Sequence, residues 1–378
     1  MIIQDIPFPR QVGEIFHLDG SMKGARMIHS QILVAMSGGV DSAGAAVLLQ
    51  EQGYQVAGAY IHMHDYGAAE QDAADARRVC QQLGIPFFLL DERETFRRCV
   101  IDDFVAGYNR GETPNPCVVC NRCLKIGSFL NWALEHGFDA IATGHYASTA
   151  QDPDTGRTLL LRGLDRRKDQ SYMLYHLTQR QLSRLVLPVG VWGKESIRQK
   201  AEAHGLVSAQ RPDSQDICFV PDGDYVRFLV EQAGVRLEGG DFLDQAGHVL
   251  GRHRGQQAYT IGQRRGLGIS APHPLYVAEK DPARNTITLA ENSQLYHLGL
   301  VGRDVNWIPF PAPDGPLAVT AKTRYSQTET PARAIPLENG QVLVRFAVPQ
   351  RAITPGQAVV FYSGEQVVGG ATIDHAVD

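Results

Sequence analysis

The chain has 378 residues, 43% of them hydrophobic and 20% charged, with a formal charge of −5. That length implies two or three domains, and the mild acidity argues against a nonspecific nucleic-acid coat while leaving room for local basic surfaces. No apolar run reaches the roughly 18 residues that a membrane span needs, and the first 30 residues lack the features of a secretory signal. No membrane association is expected, and the reading is a cytoplasmic protein whose residues 1–27 form a leader without a fold of their own. Six cysteines, Cys80, Cys99, Cys117, Cys120, Cys123 and Cys218, are too few for a disulfide scaffold in a chain this long. A local cluster among them points instead to metal binding or reaction.

From Ile32 the elements alternate. ILVAM (32–36) reads as a buried parallel strand, followed by a tight turn and by the helix AGAAVLLQEQG ending at Gly53. YQVAGAYI (54–61), the amphipathic helix 68–84, IPFFLLD (85–91) and a helix over ETFRRCVIDDFVAGYNRG continue the pattern. KIGSFLNWALEHG (125–137) is helical, and FDAIATGHY (138–146) is a strand running into a loop. The alternation predicts an α/β unit with a parallel sheet covered on both faces. The pattern changes near residue 216, where short runs such as HVLG, QQAYTIG, LYVAEKD and TITLAEN predict strands separated by turns. Domain breaks are expected near 216 and 298, giving 28–216, a β-rich 217–298 and a small barrel over 299–378. Cys80 and Cys99 lie on amphipathic helices and read as core.

SGGVDS (37–42) joins the first strand to the first helix. Two glycines allow backbone amides to approach a phosphate, and the helix start adds unpaired N–H groups and a positive dipole end. The stretch contains no lysine, so it is expected to act through backbone more than point charge. TPNPCVVCNRC places Cys117, Cys120 and Cys123 three apart. That spacing serves a metal site, sulfur chemistry or packing, and the residues alone leave all three open.

The eight segments MSGGVDS, TPNPCVVCN, ATGHYA, KDQSYML, DSQDICFVPDGDY, YTIGQRRGLGI, KTRYSQ and RAITPGQAVVFY occur in this order from residue 36 to 362. Together they resemble the tRNA-specific 2-thiouridylases, a family of the ATP pyrophosphatase (PP-loop) superfamily. The resemblance implies an ATP-binding PP-loop domain over 28–216, a small β-rich tRNA-binding domain and a C-terminal β-barrel domain. It implies ATP-dependent 2-thiolation of the wobble uridine of tRNA, by adenylation of the uracil C2 oxygen and then sulfur transfer. By the same resemblance Cys218 carries a persulfide and Cys120 is its partner, with a Cys120–Cys218 disulfide formed as product leaves. ATP contacts are implied for Ala35, Met36, Ser37, Gly38, Gly39, Val40, Asp41, Ser42, Ile61 and Gly144, with Mg²⁺ offsetting phosphate charge. His145 would shape the site. Asn115, Pro116 and Cys117 would lie against the target base, and Lys168, Asp169, Gln170, Arg324, Tyr325 and Gln357 against tRNA. A persulfide donor or sulfur-carrier protein is the implied second partner.

Position 117 departs from the family, several members of which carry Asp there. With Cys in its place, Cys117, Cys120 and Cys218 are an alternative set of ligands for a [4Fe–4S] cluster. A zinc site that adds Cys123 is a further alternative, although only one short CxxC is present. Basic stretches complete the reading. Arg252, Arg254, Arg264 and Arg265 with Tyr259 and His253 between them, Arg162, Arg166, Arg167 and Lys168, and Lys322 with Arg324 are candidate phosphate contacts. Two rivals stand beside this reading. One is an amide-forming ligase of the superfamily, which would not need the cysteines. The other is a noncatalytic tRNA-binding or metal-sensing protein, which would tolerate Asp41→Asn.

Overall fold

A computed structural model describes residues 31–210 and 217–378. The leader 1–27 and residues 213–216 of the DSQDICFV stretch lie outside the described residues. In chain order the first strands are β1 (Gln31–Ala35), β2 (Gln55–His62), β3 (Phe87–Asp91), β4 (Ala140–Ala142), β5 (Ala147–Gln151), β6 (Thr158–Arg162) and β7 (Leu185–Val186). Five of them form a parallel sheet in the order β3-β2-β1-β4-β7. The apolar runs read as strands are buried on both faces: Ile32, Leu33 and Val34 are each fully inaccessible to solvent. Helices cover the sheet on each side, as an all-parallel sheet requires. Helix α1 (Val40–Glu51) is buried along almost its whole length, and α2 (Ala69–Leu83) ends at Gly84 in the left-handed conformation, which glycine adopts without steric penalty.

Strand order reverses around β1, with β2 on one side and β4 on the other. Such a reversal opens a crevice at the carboxyl ends of the strands, the usual ligand position in an open α/β sheet. SGGVDS follows β1 and ATGHY spans the end of β4, so both border that crevice.

The cysteine helix starts at Pro116 and runs without interruption to Glu135. Asn115 caps it, its Oδ1 accepting from the Val118 N–H at 3.4 Å. Its middle, Asn121–Ser128, is wound as a π-helix. Gly127 is the reason it can be: a Cβ there would stand 2.5 Å from the Arg122 carbonyl oxygen. The same oxygen accepts from Gln181 Nε2 at 2.8 Å, which anchors the widened turn to the neighbouring segment.

The central unit is a small sheet of β8 (Gly240–Leu243), β9 (Val249–His253), β10 (Tyr276–Asp281) and β11 (Thr286–Ala290), ordered β10-β11-β8-β9. HVLG, LYVAEKD and TITLAEN are strands as expected, but QQAYTIG is not. Gln256–Ala258 form a 3₁₀ turn, set up by Gly255 at φ 133°. Its alternation reflects Ala258 and Tyr259 turning into the central core beside Phe242, Val277 and Leu289.

The C-terminal unit is a closed antiparallel barrel. β12 (Tyr296–Trp307), β15 (Val342–Arg351), β14 (Thr330–Pro336), β13 (Leu317–Lys322), β16 (Ala358–Ser363) and β17 (Gln366–Val377) follow one another around it, and β12 pairs back to β17. Closure leaves no open edge among these six strands. β17 also pairs with β6, so the β5–β6 hairpin of the first unit extends the barrel sheet. Arg162 pins that junction. Its guanidinium lies 3.7 Å from the Tyr362 ring centroid and donates to Glu329 at 2.6 Å and to the Gly364 carbonyl at 3.0 Å. Among the described residues no helix is long and apolar enough to cross a membrane.

Candidate active site

The phosphate loop is held open by its own hydroxyls. Ser42 Oγ donates to the Gly39 carbonyl at 3.1 Å and accepts from the Ser37 N–H at 3.1 Å, and the Gly39 N–H donates to Ser37 Oγ at 3.3 Å. The N-cap of α1 is Gly39, which supplies no capping side chain, so the first turn keeps donors for an anion. Gly144 closes the other side. A Cβ on it would come within 2.7 Å of Asp41 C and Ser42 N, so the ATGHY backbone lies directly on the loop. Ala35, Met36, Gly38 and Val40 complete the strand-to-helix turn, and Ile61 is buried at the carboxyl end of the adjacent β2.

The expectation that the loop acts through backbone more than point charge needs amending. Lys194, from the start of the helix Lys194–Ala203, places Nζ 2.8 Å from both carboxylate oxygens of Asp41. Tyr146 OH donates to the same carboxylate at 2.7 Å. Packing explains how a residue 153 positions away arrives there. Gly44 on α1 leaves a notch into which Ile197 fits so closely that a Cβ would meet its Cγ2 at 2.5 Å. One turn back from Ile197, Lys194 then faces the loop. A lysine that reaches the loop from another helix leaves no mark in the spacing of SGGVDS.

The thiols form the second half of the site. All six cysteines are free; Cys80 and Cys120 are buried, Cys99 and Cys123 partly so, and Cys117 and Cys218 are exposed. Cys80 sits in the core under β2, where burial raises its thiol to about 11, and Cys99, on the helix 93–109, packs at the edge of the core. Burial pushes the Cys120 thiol up to about 12, an effect opposed by Lys125 and strengthened by the nearby Cys218, Cys117 and Cys123. Cys218 is likewise raised, first by burial of its sulfur and then by Cys117, again against Lys125. Cys120 and Cys218, 98 positions apart in sequence, thus lie within each other's electrostatic reach. Met63 Sδ is 3.9 Å from Cys120 Sγ.

Among the described residues no three His, Cys, Asp or Glu side chains converge so as to hold a metal ion. As placed, Cys117, Cys120, Cys123 and Cys218 therefore do not converge on a single ion such as zinc.

His145 joins the two halves. Its Nδ1 is 2.8 Å from Thr143 Oγ1, and burial, aided by the Lys125 charge, pulls its pKa down to about 3. His176 is lowered to about 4, by burial and then by Arg122. Both rings are neutral in the fold. As pH falls below the ordinary 6.5 the unfolded chain takes up protons that the native state refuses, so stability present above that pH is lost progressively toward the folded values. Melting temperatures are expected to fall from about pH 7 to about pH 5. His145→Asn should shrink that fall; an unchanged pH dependence would show that this ring is not its source.

The residues expected at tRNA divide. Asp169 is buried in its own loop, accepting from the Gly163 and Ser171 N–H groups at 3.0 and 3.1 Å. Gln170 Oε1 accepts from the Tyr146 N–H at 3.0 Å, and Gln357 Nε2 donates to the Thr113 carbonyl at 2.8 Å. Arg324 donates to the Ala352 carbonyl at 2.8 Å. These four are engaged within the protein, whereas Tyr325 is exposed, its ring edge-on to Tyr172. Lys168, half-buried, immediately precedes Asp169 on the same loop. Asn115 and Pro116 begin the cysteine helix, which presents Cys117 at its exposed start.

Three members of the basic stretches are not surface groups. Arg162 is the buried junction pin described above, and His253 and Tyr259 are core residues of the central unit, only 3% and 4% exposed. Charge counting along a sequence cannot see such partners. Arg254, Arg264 and Arg265 remain exposed, as does Arg252 beside Asp241.

Comparison with known proteins follows this geometry. Residues 30–222 match a family model described as the tRNA methyl transferase HUP domain. Residues 227–291 match its PRC-barrel domain, and 298–373 an aminomethyltransferase beta-barrel domain. The chain is 46% identical over 361 residues to the tRNA-specific 2-thiouridylase MnmA of Geotalea uraniireducens, covering 92% of this chain and 96% of that one. It is 46% identical over 355 residues to the protein of the same name from Carboxydothermus hydrogenoformans, covering 91% and 97%. This chain belongs to the tRNA-specific 2-thiouridylase family. The domain descriptions speak of methyl transfer, but the relatives matched over nearly their full length carry the thiouridylase name, and full-length similarity is the stronger guide. A solved U34-tRNA thiolase NcsA from Methanococcus maripaludis with its [4Fe-4S] cluster shares 17% identity and a TM-score of 0.34, covering 55% of this chain and 68% of that chain. Overlap that small transfers neither the cluster nor its chemistry to this 2-thiouridylase family member.

Proposed function

We propose that the protein is an ATP-dependent tRNA uridine 2-sulfurtransferase working through a cysteine persulfide. What supports this reading is a chain of neighbours that links the phosphate loop to two thiols distant in sequence. Gly144 touches Asp41 and Ser42, its neighbour His145 feels the Lys125 charge, and Lys125 acts on Cys120 and Cys218.

The uracil C2 oxygen is a poor leaving group. Its attack on the α-phosphate of ATP expels pyrophosphate and converts it to an adenylate, with N3 giving up its proton. The loop amides and Lys194 are placed to hold the phosphates. Asp41 is the carboxylate placed to hold a Mg²⁺ ion brought with ATP, which would offset phosphate charge. The terminal sulfur of a Cys218 persulfide then attacks C2 and AMP leaves. The Cys120 thiolate next attacks Cys218 Sγ. The electron pair of the broken S–S bond departs on the C2 sulfur, N3 regains a proton, and 2-thiouridine leaves a Cys120–Cys218 disulfide behind. An external thiol reductant resets the pair, and a persulfide donor protein recharges Cys218.

Single-stranded loops let a base swing out of its stack at low cost, so the anticodon suits a cleft of this kind. Exposed Tyr325, Arg254, Arg264 and Arg265, with half-buried Lys168, supply a stacking surface and phosphate contacts for tRNA. The site-lining roles of Asn115, Pro116 and Cys117 toward the base belong to the same proposal. Asp169, Gln170, Arg324 and Gln357 shape that surface by holding its loops. Purified protein given unmodified tRNA, ATP and a persulfide source, without added iron, is expected to form 2-thiouridine with one AMP and one pyrophosphate per product. Product that appears only after iron is restored would overturn the persulfide route.

A further inference from the structure

Lys125 has an unusual setting. It is partly buried, and among the described residues no carboxylate lies within ion-pair distance of its ammonium. A lysine withdrawn from water without a counter-ion is costly unless an anion visits it. The Cys117, Cys120 and Cys218 thiols and the His64 and His145 rings all lie within its electrostatic reach. Burial lowers the lysine's pKa, but the three thiols outweigh burial and hold it above the ordinary value.

Helix geometry accounts for the placement. In an α-helix a residue five positions on lies about 140° around the axis from its predecessor. The π-winding of Asn121–Ser128 changes this, because an i→i+5 turn brings such a residue back close to the start. Lys125, five beyond Cys120, is thereby returned to the cysteine face. Widened turns of this kind recur at functional sites. Gly127 permits the winding and Gln181 anchors it.

We propose that Lys125 is the cation that holds the reacting sulfur of the Cys120–Cys218 pair as an anion, a positioning residue delivered by the π-turn. This rests on the persulfide reading above. When Cys120 attacks, negative charge passes from one sulfur to the next, and a single ammonium facing both follows it without moving.

The test reads the thiols directly. Wild-type, Lys125→Met and Lys125→Arg proteins are treated with iodoacetamide near neutral pH, without tRNA, ATP or donor, and each cysteine is followed by peptide mass spectrometry. Loss of a facing cation worth about one pKa unit slows alkylation at Cys218 roughly tenfold in Lys125→Met. Lys125→Arg restores most of the rate, and Cys99, on another helix, reacts equally in all three. Equal Cys218 rates in wild-type and Lys125→Met, or a Cys99 rate that falls in parallel, would overturn the proposal. Because the probe involves no sulfur transfer, its failure is distinct from failure of the persulfide route, which the thiolation assay reads.

Discussion

Serine at Cys218 is expected to lower 2-thiouridine formation by roughly three orders of magnitude or more, and serine at Cys120 to do the same. The hydroxyl cannot carry a persulfide, and at neutral pH it cannot attack one. The double variant should be no worse than either single one, since residues acting in one relay lose their contribution together. Adenylation involves neither sulfur, so pyrophosphate release in the presence of tRNA should survive in Cys218→Ser. Fold disruption does not explain such a loss at Cys218, which is exposed. Cys120 is buried beside Met63, and serine there costs some packing, so a melting curve accompanies that measurement. Thiolation that continues in both serine variants would remove the relay.

Lys194→Ala should fail at the opposite step. Its Nζ is a cation that reaches the phosphate loop from another helix, held 2.8 Å from both Asp41 oxygens. An incoming triphosphate supplies a better anion, and the lysine has only to turn from the carboxylate to the phosphates. Removing one preorganised charge from a phosphoryl-transfer site typically costs a factor of about 10²–10³. The expected result is a loss of that order in tRNA-dependent pyrophosphate release, with thiolation falling in parallel. Lys194→Arg should recover part of it. Asp41 keeps the Tyr146 hydroxyl after the substitution, so the loop retains one of its two tethers. Pyrophosphate release at wild-type rate in Lys194→Ala would mean that the backbone alone carries the phosphates, as the sequence of the loop by itself suggests. A noncatalytic tRNA-binding protein would show no pyrophosphate release in any variant.

The two predictions separate halves of the site that differed in legibility. Parallel strands buried on both faces are continuous apolar runs, and ILVAM, YQVAGAYI and IPFFLLD announce themselves as such. The phosphate loop is equally local, since its glycines, serines and helix start are contiguous. Lys194 was not legible, because its position depends on Ile197 fitting against Gly44, a tertiary fact without sequence spacing. Lys125 was hidden for another reason: an α-helical wheel places it away from Cys120, and only the wider winding allowed by Gly127 brings it back. The errors ran the other way at the basic stretches. Arg162, His253 and Tyr259 look like surface groups until Tyr362, Glu329 and the central core are seen to claim them. QQAYTIG alternates like a strand but is broken by Gly255. The pairing of Cys120 with Cys218 came from family resemblance, since no spacing rule links residues so far apart.

The account stands on sulfur passing between these two residues, and one measurement addresses that directly. Reduced enzyme charged with persulfide is given ATP and unmodified tRNA for a single turnover without reductant. It is then quenched with an alkylating agent and mapped by mass spectrometry. The relay predicts a Cys120–Cys218 cross-linked peptide in amounts equal to the 2-thiouridine formed. Full product with both thiols recovered as separate alkylated peptides would contradict it.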